Sequence, residues 1–170
     1  MSKSTASTKQ ALVVHETRND LPKATREAMI ALLNQQLADT SDLFSQVKQA
    51  HWNIKGPQFI ALHKLFDDFA EELLGYVDEI AERAVMFGGR ATGTARMAAA
   101  ASRLPEFPDI SADLEIVAAL ADRYAALAAS TRAAIDSADE AGDADTADLL
   151  TGVSRGLDKA LWFLEAHLQS

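Results

Sequence analysis

Apolar side chains recur at helical spacing along most of the chain, beginning after residues 1–20, which are mostly polar. Between Pro22 and His51 there is neither glycine nor a second proline, and four apolar residues lie three, four or seven positions apart: Leu33, Leu37, Phe44 and Val47. This periodicity predicts an amphipathic helix over 22–51, with Asp20 as a cap and Pro22 in the first turn.

The same kind of pattern predicts three further long helices and one short one. The long helices cover about 58–87, 111–137 and 146–168, and a short helical turn covers about 95–102. No segment alternates apolar and polar residues over the length of a strand. The predicted fold class is therefore all-α, a four-helix bundle with a short helix in the long connection between helices two and three. We expect residues 1–20 to form a flexible N-terminal arm and residues 21–170 to form the bundle domain.

Composition and charge narrow the function. Of 170 residues, 16 are Lys or Arg and 25 are Asp or Glu, so the formal charge is −9. A broad basic face for nucleic acid is therefore not expected. The absence of cysteine excludes disulfides, thiolate metal ligands and a cysteine nucleophile. No apolar run approaches the roughly 20 residues that cross a bilayer, so we expect a cytoplasmic protein with no membrane contact.

Metal-ligand side chains concentrate on the second predicted helix. His63 and Asp67 are four residues apart, and Asp78 and Glu82 repeat that spacing. At about 100° per residue, the 15 residues from His63 to Asp78 leave a net rotation of about 60°, so both pairs project from one side. Asp67 and Asp78 are nevertheless roughly 16 Å apart along the helix axis, which is too far for one ion. The two pairs can meet if the same helix of a second subunit packs antiparallel across a two-fold axis.

Such an axis would cross near Leu73, and His51 would return beside His63 as the chain turns. We expect an apolar patch for this contact: Phe66, Phe69, Ala70, Leu73, Leu74 and Val77. Two imidazoles, three carboxylates and no sulfur suit iron or manganese. The alternative is a solvated helix face, with each histidine held only by a local hydrogen bond.

Several strings in the sequence resemble signatures of the Dps family, the DNA-protection-during-starvation proteins. They are KQAHWNIKG at 48–56, FIALH at 59–63, DEIAER at 78–83 and LDKALWF at 157–163. The resemblance implies a ferritin-like bundle and places ferroxidase ligands on His51, His63 and Asp67 of one subunit and on Asp78 and Glu82 of its two-fold partner. Gly156 departs from the family pattern, which has Asp there.

The resemblance also implies an activity and an assembly. It implies a hollow homododecamer that oxidises Fe(II), preferentially with hydrogen peroxide, holds two irons at each intersubunit site and stores the ferric mineral. Trp52, beside His51, is either a packing aromatic or a sacrificial electron donor. Two other functions stay open at this point: a DNA-compacting, nucleoid-associated protein with minor metal chemistry, and a helical assembly protein without metal chemistry.

Two further groups of charged residues are candidates for binding. An acidic segment either forms a solvated helix entrance or, as the resemblance to the Dps family implies, lines a three-fold pore that attracts Fe(II): Asp139, Glu140, Asp143, Asp145 and Asp148. In the arm, Lys3 and Lys9 are candidate DNA contacts. Because one arm supplies at most about three cations, any DNA binding is expected to be weak and dependent on salt and pH.

Overall fold

The computed structural model describes residues 15–169, and in this range it contains five helices. They are α1 (Lys23–Asn53), α2 (Phe59–Met86), α3 (Ala95–Ala101), α4 (Asp113–Glu140) and α5 (Ala144–Leu168). No strand occurs among these residues, and the predicted all-α helical bundle with a short helix between the second and third long helices is confirmed. No described helix combines the length and apolarity that crossing a membrane would require.

The four long helices form two antiparallel hairpins. In the first, the start of α1 lies at the end of α2, where Arg26 Nη1 donates to Phe87 O at 3.2 Å. The hairpin turn at its other end contains Gly56, whose φ of +140° is a conformation that other residues rarely adopt. In the second hairpin, α4 and α5 are joined by a short turn and pack against each other.

The connection from α2 to α4 carries the chain back along the length of the bundle. It begins at Gly88 and ends beside the α1–α2 turn, where Lys55 N donates to Ser111 O at 2.8 Å. The short helix α3 lies within this connection and packs on α1. The connection therefore makes α2 and α4 parallel, so the end of α2 lies beside the start of α5.

One hydrophobic core runs through the bundle. Each long helix contributes fully buried apolar side chains: Leu33, Leu37, Phe66, Leu73, Ile116, Leu127, Leu150 and Leu157. Tyr124 is also buried, and its hydroxyl has no hydrogen-bond partner. Burial raises the pKa of Tyr124 well above its ordinary value. The phenol is therefore uncharged in the folded chain.

The start of the described chain contacts the bundle. His15 N donates to Gly88 O at 2.5 Å, and Asn19 Oδ1 accepts from Leu21 N at 3.1 Å. These contacts tie residues 15–21 to the end of α2 and the entrance of α1. Lys3 and Lys9, the candidate DNA contacts, lie outside the described residues.

Candidate metal centre

The α1–α2 hairpin brings His51 and His63 together. His51 lies in the last turn of α1, and His63 lies in the second turn of α2. Their rings stack, with centroids 3.8 Å apart and planes inclined by 19°. Because the two helices are antiparallel and joined by a short turn, residues 12 positions apart become neighbours.

A reciprocal pair of hydrogen bonds holds the two imidazoles. His51 Nδ1 donates to His63 O at 2.7 Å, and His63 Nδ1 donates to His51 O at 2.9 Å. A carbonyl oxygen can only accept, so each Nδ1 must carry the proton. When neutral, each ring therefore keeps its Nε2 lone pair free for a metal, and its orientation is set by the backbone.

Asp67 lies on the same side of α2 as His63, one turn later. Its Oδ1 is 3.9 Å from His51 Nε2 and accepts a hydrogen bond from Lys48 Nζ at 2.7 Å. That hydrogen bond is the main cause that lowers the pKa of Asp67 below its ordinary value. The exposed carboxylate is thus charged and can bind a cation, but it is already paired with the Lys48 ammonium group.

Lys48 is the residue at this site that the sequence reasoning missed. Its ammonium group also lies 5.8 Å from the centroid of the Trp52 ring. One feature of the sequence points to Lys48: it precedes His51 by three residues, which puts both side chains on one face of α1. Nothing local, however, indicates that this face meets Asp67 of α2.

Asp78 and Glu82 are exposed near the other end of α2. Because α2 is one unbroken helix, the separation between Asp67 and Asp78 stays near 16 Å along its axis. In the described part of the chain, no group of three or more histidine or acidic side chains is placed to hold a metal ion. One chain brings His51, His63 and Asp67 near one another without forming a complete metal site, and it leaves Asp78 and Glu82 farther along α2.

The apolar patch expected beside the two-fold axis is largely wrong. Phe66, Phe69 and Leu73 are buried in the chain's own core, with at most 4% of their surface exposed. Their side chains lie on the apolar face of α2, which packs against the core rather than facing solvent. The exposed apolar residue at this point is Leu74, at 54%. It borders a largely apolar cavity of about 330 Å³ whose walls come from α1, α2, α3 and the connection before α3.

Trp52 is 67% exposed and does not pack into the chain's core. Packing within the subunit, one of its two predicted roles, is therefore not observed. Its proposed role as an electron donor remains a prediction.

The acidic segment divides into one structural residue and four exposed ones. Asp143 is only 2% exposed and caps α5, accepting from Thr146 N at 3.1 Å and also from the Thr146 hydroxyl. It accepts a further hydrogen bond from Arg83 Nη2 at 2.8 Å. Both of its oxygens are engaged, so the assignment of Asp143 to a pore is corrected. The others are exposed: Asp139, Glu140, Asp145 and Asp148.

The sequence is similar to a known protein family and to individual proteins. The family described as "Ferritin-like domain" matches residues 30–170. A DNA protection during starvation protein from Agrobacterium fabrum is 49% identical over 156 residues, which cover 91% of this chain and 96% of that protein.

Solved structures resemble the fold over nearly the whole chain. DpsC from Streptomyces coelicolor superimposes with a TM-score of 0.88 at 32% identity, covering 93% of both chains. A Dps protein from Vibrio cholerae, described as a member of a broad superfamily of ferritin-like diiron-carboxylate proteins, gives a TM-score of 0.83 at 27% identity. It covers 88% of this chain and 94% of that one.

Proposed function

Since this chain belongs to the Dps family of ferritin-like proteins, we propose that it binds Fe(II), oxidises it and stores the ferric product, and that it thereby protects DNA from oxidative damage. Hydrogen peroxide is the proposed oxidant and the homododecamer the proposed assembly. Iron is the substrate of this reaction. The observation that carries the proposal is the imidazole pair, whose backbone hydrogen bonds through Nδ1 leave both Nε2 atoms free, with that of His51 3.9 Å from Asp67 Oδ1.

The proposed ligands suit Fe(II) and its oxidised product. Imidazole nitrogen is a borderline donor that binds Fe(II), whereas carboxylate oxygen is a hard donor. Loss of an electron from iron raises its charge from +2 to +3, and nearby carboxylates stabilise that increase. We propose that Asp67 of one subunit and Asp78 and Glu82 of the other supply these carboxylates.

Two irons at one site can reduce hydrogen peroxide in a single two-electron event. The reaction is H2O2 + 2 Fe(II) + 2 H+ → 2 H2O + 2 Fe(III). When only one iron reacts, the same oxidant gives a hydroxide ion and a hydroxyl radical. Bringing ligands from two chains to one site therefore favours the reaction that does not release a radical.

The two-subunit site follows from the geometry of α2. If two copies of α2 cross antiparallel between the ligand pairs, Asp78 and Glu82 of one copy approach the His63 and Asp67 pair of the other. Leu74 lies near the middle of this stretch, exposed beside an apolar cavity of about 330 Å³. We propose that the partner subunit covers this apolar surface, with the two copies of Leu74 close to the axis.

Direct DNA binding is proposed as a weaker and separate property. The chain carries a formal charge of −9, which repels a duplex, whereas the candidate contacts Lys3 and Lys9 belong to the arm. In cells, association with the nucleoid would depend on the arms of several subunits acting together. A gel-shift series across salt concentration, with the full chain beside one lacking residues 1–10, tests this. Tight binding without those residues would contradict it.

Mixed assembly tests the two-subunit site. One variant carries His63→Ala and Asp67→Ala, and the other carries Asp78→Ala and Glu82→Ala. In a mixed dimer, one of the two sites receives all of its ligands from unaltered positions. We therefore expect the inactive parents to recover Fe(II) oxidation when they are dissociated and reassembled together.

The matched control mixes each variant with itself through the same procedure. If mixed assemblies form, as shown by mass spectrometry, and no oxidation returns, the two-subunit site is wrong. If the four-alanine chain, with all four changes combined, still oxidises Fe(II) at the rate of the unaltered protein, the site lies elsewhere.

A further inference from the structure

Gly75 lies in the interior of α2, and no contact within the described chain explains a glycine there. Its φ is not positive, so the backbone does not require glycine. Outside its own helical turn, no described atom lies within 4 Å of a Cβ atom added at this position, whereas one added at Gly156 would overlap the Tyr76 hydroxyl. Relative to alanine, a glycine inside a helix lowers the equilibrium constant for folding about fivefold. Gly75 therefore destabilises the single chain without filling a need of its own packing.

Gly75 lies between the two ligand pairs, on the side of α2 that carries the second pair. It precedes Asp78 by three residues, which is about 4.5 Å along the helix axis. At about 100° per residue, it is rotated by about 60° from Asp78 and by about 20° from Glu82. Gly75 also lines an open recess of about 440 Å³ whose other walls all belong to α2: Glu71, Leu74, Val77 and Asp78. The missing side chain thus leaves a notch beside the proposed ligands.

The charges on α2 favour a second copy of this chain as the occupant of the notch. At one end of the ligand face, the Lys48 ammonium group offsets the Asp67 carboxylate beside the two imidazoles. At the other end, the carboxylates of Asp78 and Glu82 are both exposed. A parallel second copy would bring these carboxylates against their own counterparts, whereas an antiparallel copy brings them against the imidazole end.

An antiparallel copy brings its own side chains to the notch. The midpoint between the two ligand pairs falls between residues 72 and 73. In a crossing at that point, Leu74 is level with Glu71 of the partner subunit, and Gly75 is one residue beyond, about 1.5 Å along the axis. Because Gly75 has no side chain, the second helix can approach closely at this level.

We propose that Gly75 sets the separation of the two α2 helices where they cross and thereby positions the partner's carboxylates against the imidazole pair. Gly75 is then a positioning residue, and its role rests on the proposed function. The side chains at a contact set the distance between two packed helix axes within about 8–10 Å. Metal–ligand distances hold within about 0.2 Å, so that range is about ten times their tolerance. A larger side chain at position 75 therefore draws the carboxylates away from the metal.

Co2+ binding tests this role without a redox step. The iron-free assembly is titrated with Co2+, and the visible absorption of the bound ion is followed. We expect Gly75→Ala to weaken Co2+ binding about tenfold or more, the effect typical of losing a residue that orients a metal ligand. Its melting midpoint should not fall below that of the unaltered protein, because alanine is the better helix former. Weaker binding with undiminished stability is not expected from a merely structural glycine.

Gly152→Ala is the matched control. Gly152 is also inside a long helix, α5, and a Cβ atom added there also meets nothing within 4 Å in the described chain. The same gain in helix propensity is therefore made away from α2. Its Co2+ binding should equal that of the unaltered protein. Dissociation of the Gly75→Ala assembly, while Gly152→Ala stays assembled in sedimentation, also supports a close crossing at Gly75.

A disulfide across the two-fold axis tests the crossing without any metal. The chain has no cysteine, so Leu74→Cys introduces its only thiol. In the proposed crossing, the two copies of residue 74 are about 4.5 Å apart along the helix axes, and mild oxidation should join the chains. Glu79→Cys places the thiols about 20 Å apart along the axes and should give little product. Adding Gly75→Ala to Leu74→Cys should slow disulfide formation severalfold.

Two results would overturn the role of Gly75. One is Co2+ binding by Gly75→Ala that is as tight as binding by the unaltered protein. The other is a disulfide at residue 74 that forms equally fast with and without Gly75→Ala, or no faster than the one at residue 79. If the unaltered protein neither binds Co2+ nor oxidises Fe(II), the proposed function fails, and the disulfide rates alone then decide whether Gly75 sets the separation of the helices.

Discussion

Replacing Asp143 by alanine distinguishes a structural carboxylate from one that attracts iron. Asp143 is 2% exposed, caps α5 and pairs with Arg83, whose side chain is itself only 12% exposed. Loss of the cap costs about 1 kcal/mol. Removing the partner of a buried charge costs up to about 3–5 kcal/mol. Arg83 Nε still donates a hydrogen bond to the Thr146 hydroxyl at 3.0 Å, and this remaining bond reduces the cost.

We therefore expect Asp143→Ala to lower the free energy of unfolding by about 3–4 kcal/mol per chain. For a chain of this size, each kcal/mol lowers the melting midpoint by about 2–4 °C, so a fall of about 6 °C or more is expected. Asp143→Asn keeps a capping oxygen and loses only the charge. Its melting midpoint should therefore lie between those of the unaltered protein and of Asp143→Ala. The matched control is Asp145→Ala, since Asp145 is 86% exposed and 3.8 Å from Arg83. Its midpoint should change by no more than about 1–2 °C.

The assay is thermal unfolding followed by circular dichroism at one fixed protein concentration, because assembly makes the midpoint depend on concentration. Fe(II) uptake is measured on the same samples well below the melting midpoint. An Asp143→Ala protein that melts like the unaltered protein but takes up Fe(II) more slowly would refute the structural assignment. It would restore the pore role that the resemblance to the Dps family implies.

Three further predictions concern the metal site, the dimer and Gly156. Lys48→Met removes the ammonium group that pairs with Asp67, so calorimetry should show divalent cations binding about two- to fivefold more tightly, the effect of one exposed ion pair. Weaker binding would mean that Lys48 helps to build the site. Leu74→Glu puts two like charges near the proposed two-fold axis, and their repulsion should break the dimer into smaller species in sedimentation. An unchanged assembly would show that the axis does not pass near Leu74. Gly156→Ala displaces only the far end of the flexible Tyr76 side chain and puts a better helix former inside α5, so denaturant unfolding should show a gain of up to about 1 kcal/mol. A loss of stability that the Tyr76→Phe background removes would show that the tyrosine cannot move aside.

The helices were predictable because their signal is local. Apolar spacing and the positions of proline and glycine gave all five helices, with ends within about three residues of those observed. The difference at the α4–α5 turn has a physical cause. Asp143 caps the helix from a position inside the acidic run, so α5 begins at Ala144 rather than Thr146.

The ligand pairs on α2 were also predictable, because a four-residue spacing within one helix needs no knowledge of other helices. The same spacing separates the two pairs along the axis. It therefore excluded a complete site in one chain before any tertiary contact was considered.

Partners contributed by other helices could not be predicted from the sequence. Position alone does not tell that Lys48 meets Asp67, that Asp143 meets Arg83, or that Leu73 belongs to the core while Leu74 faces outward. The sequence by itself determined the helices and the ligand types, since both depend on residues close along the chain. Only the packing of α1, α2 and α5 decided which imidazole nitrogen is free and which carboxylate is buried, because burial and hydrogen bonding depend on segments far apart in sequence.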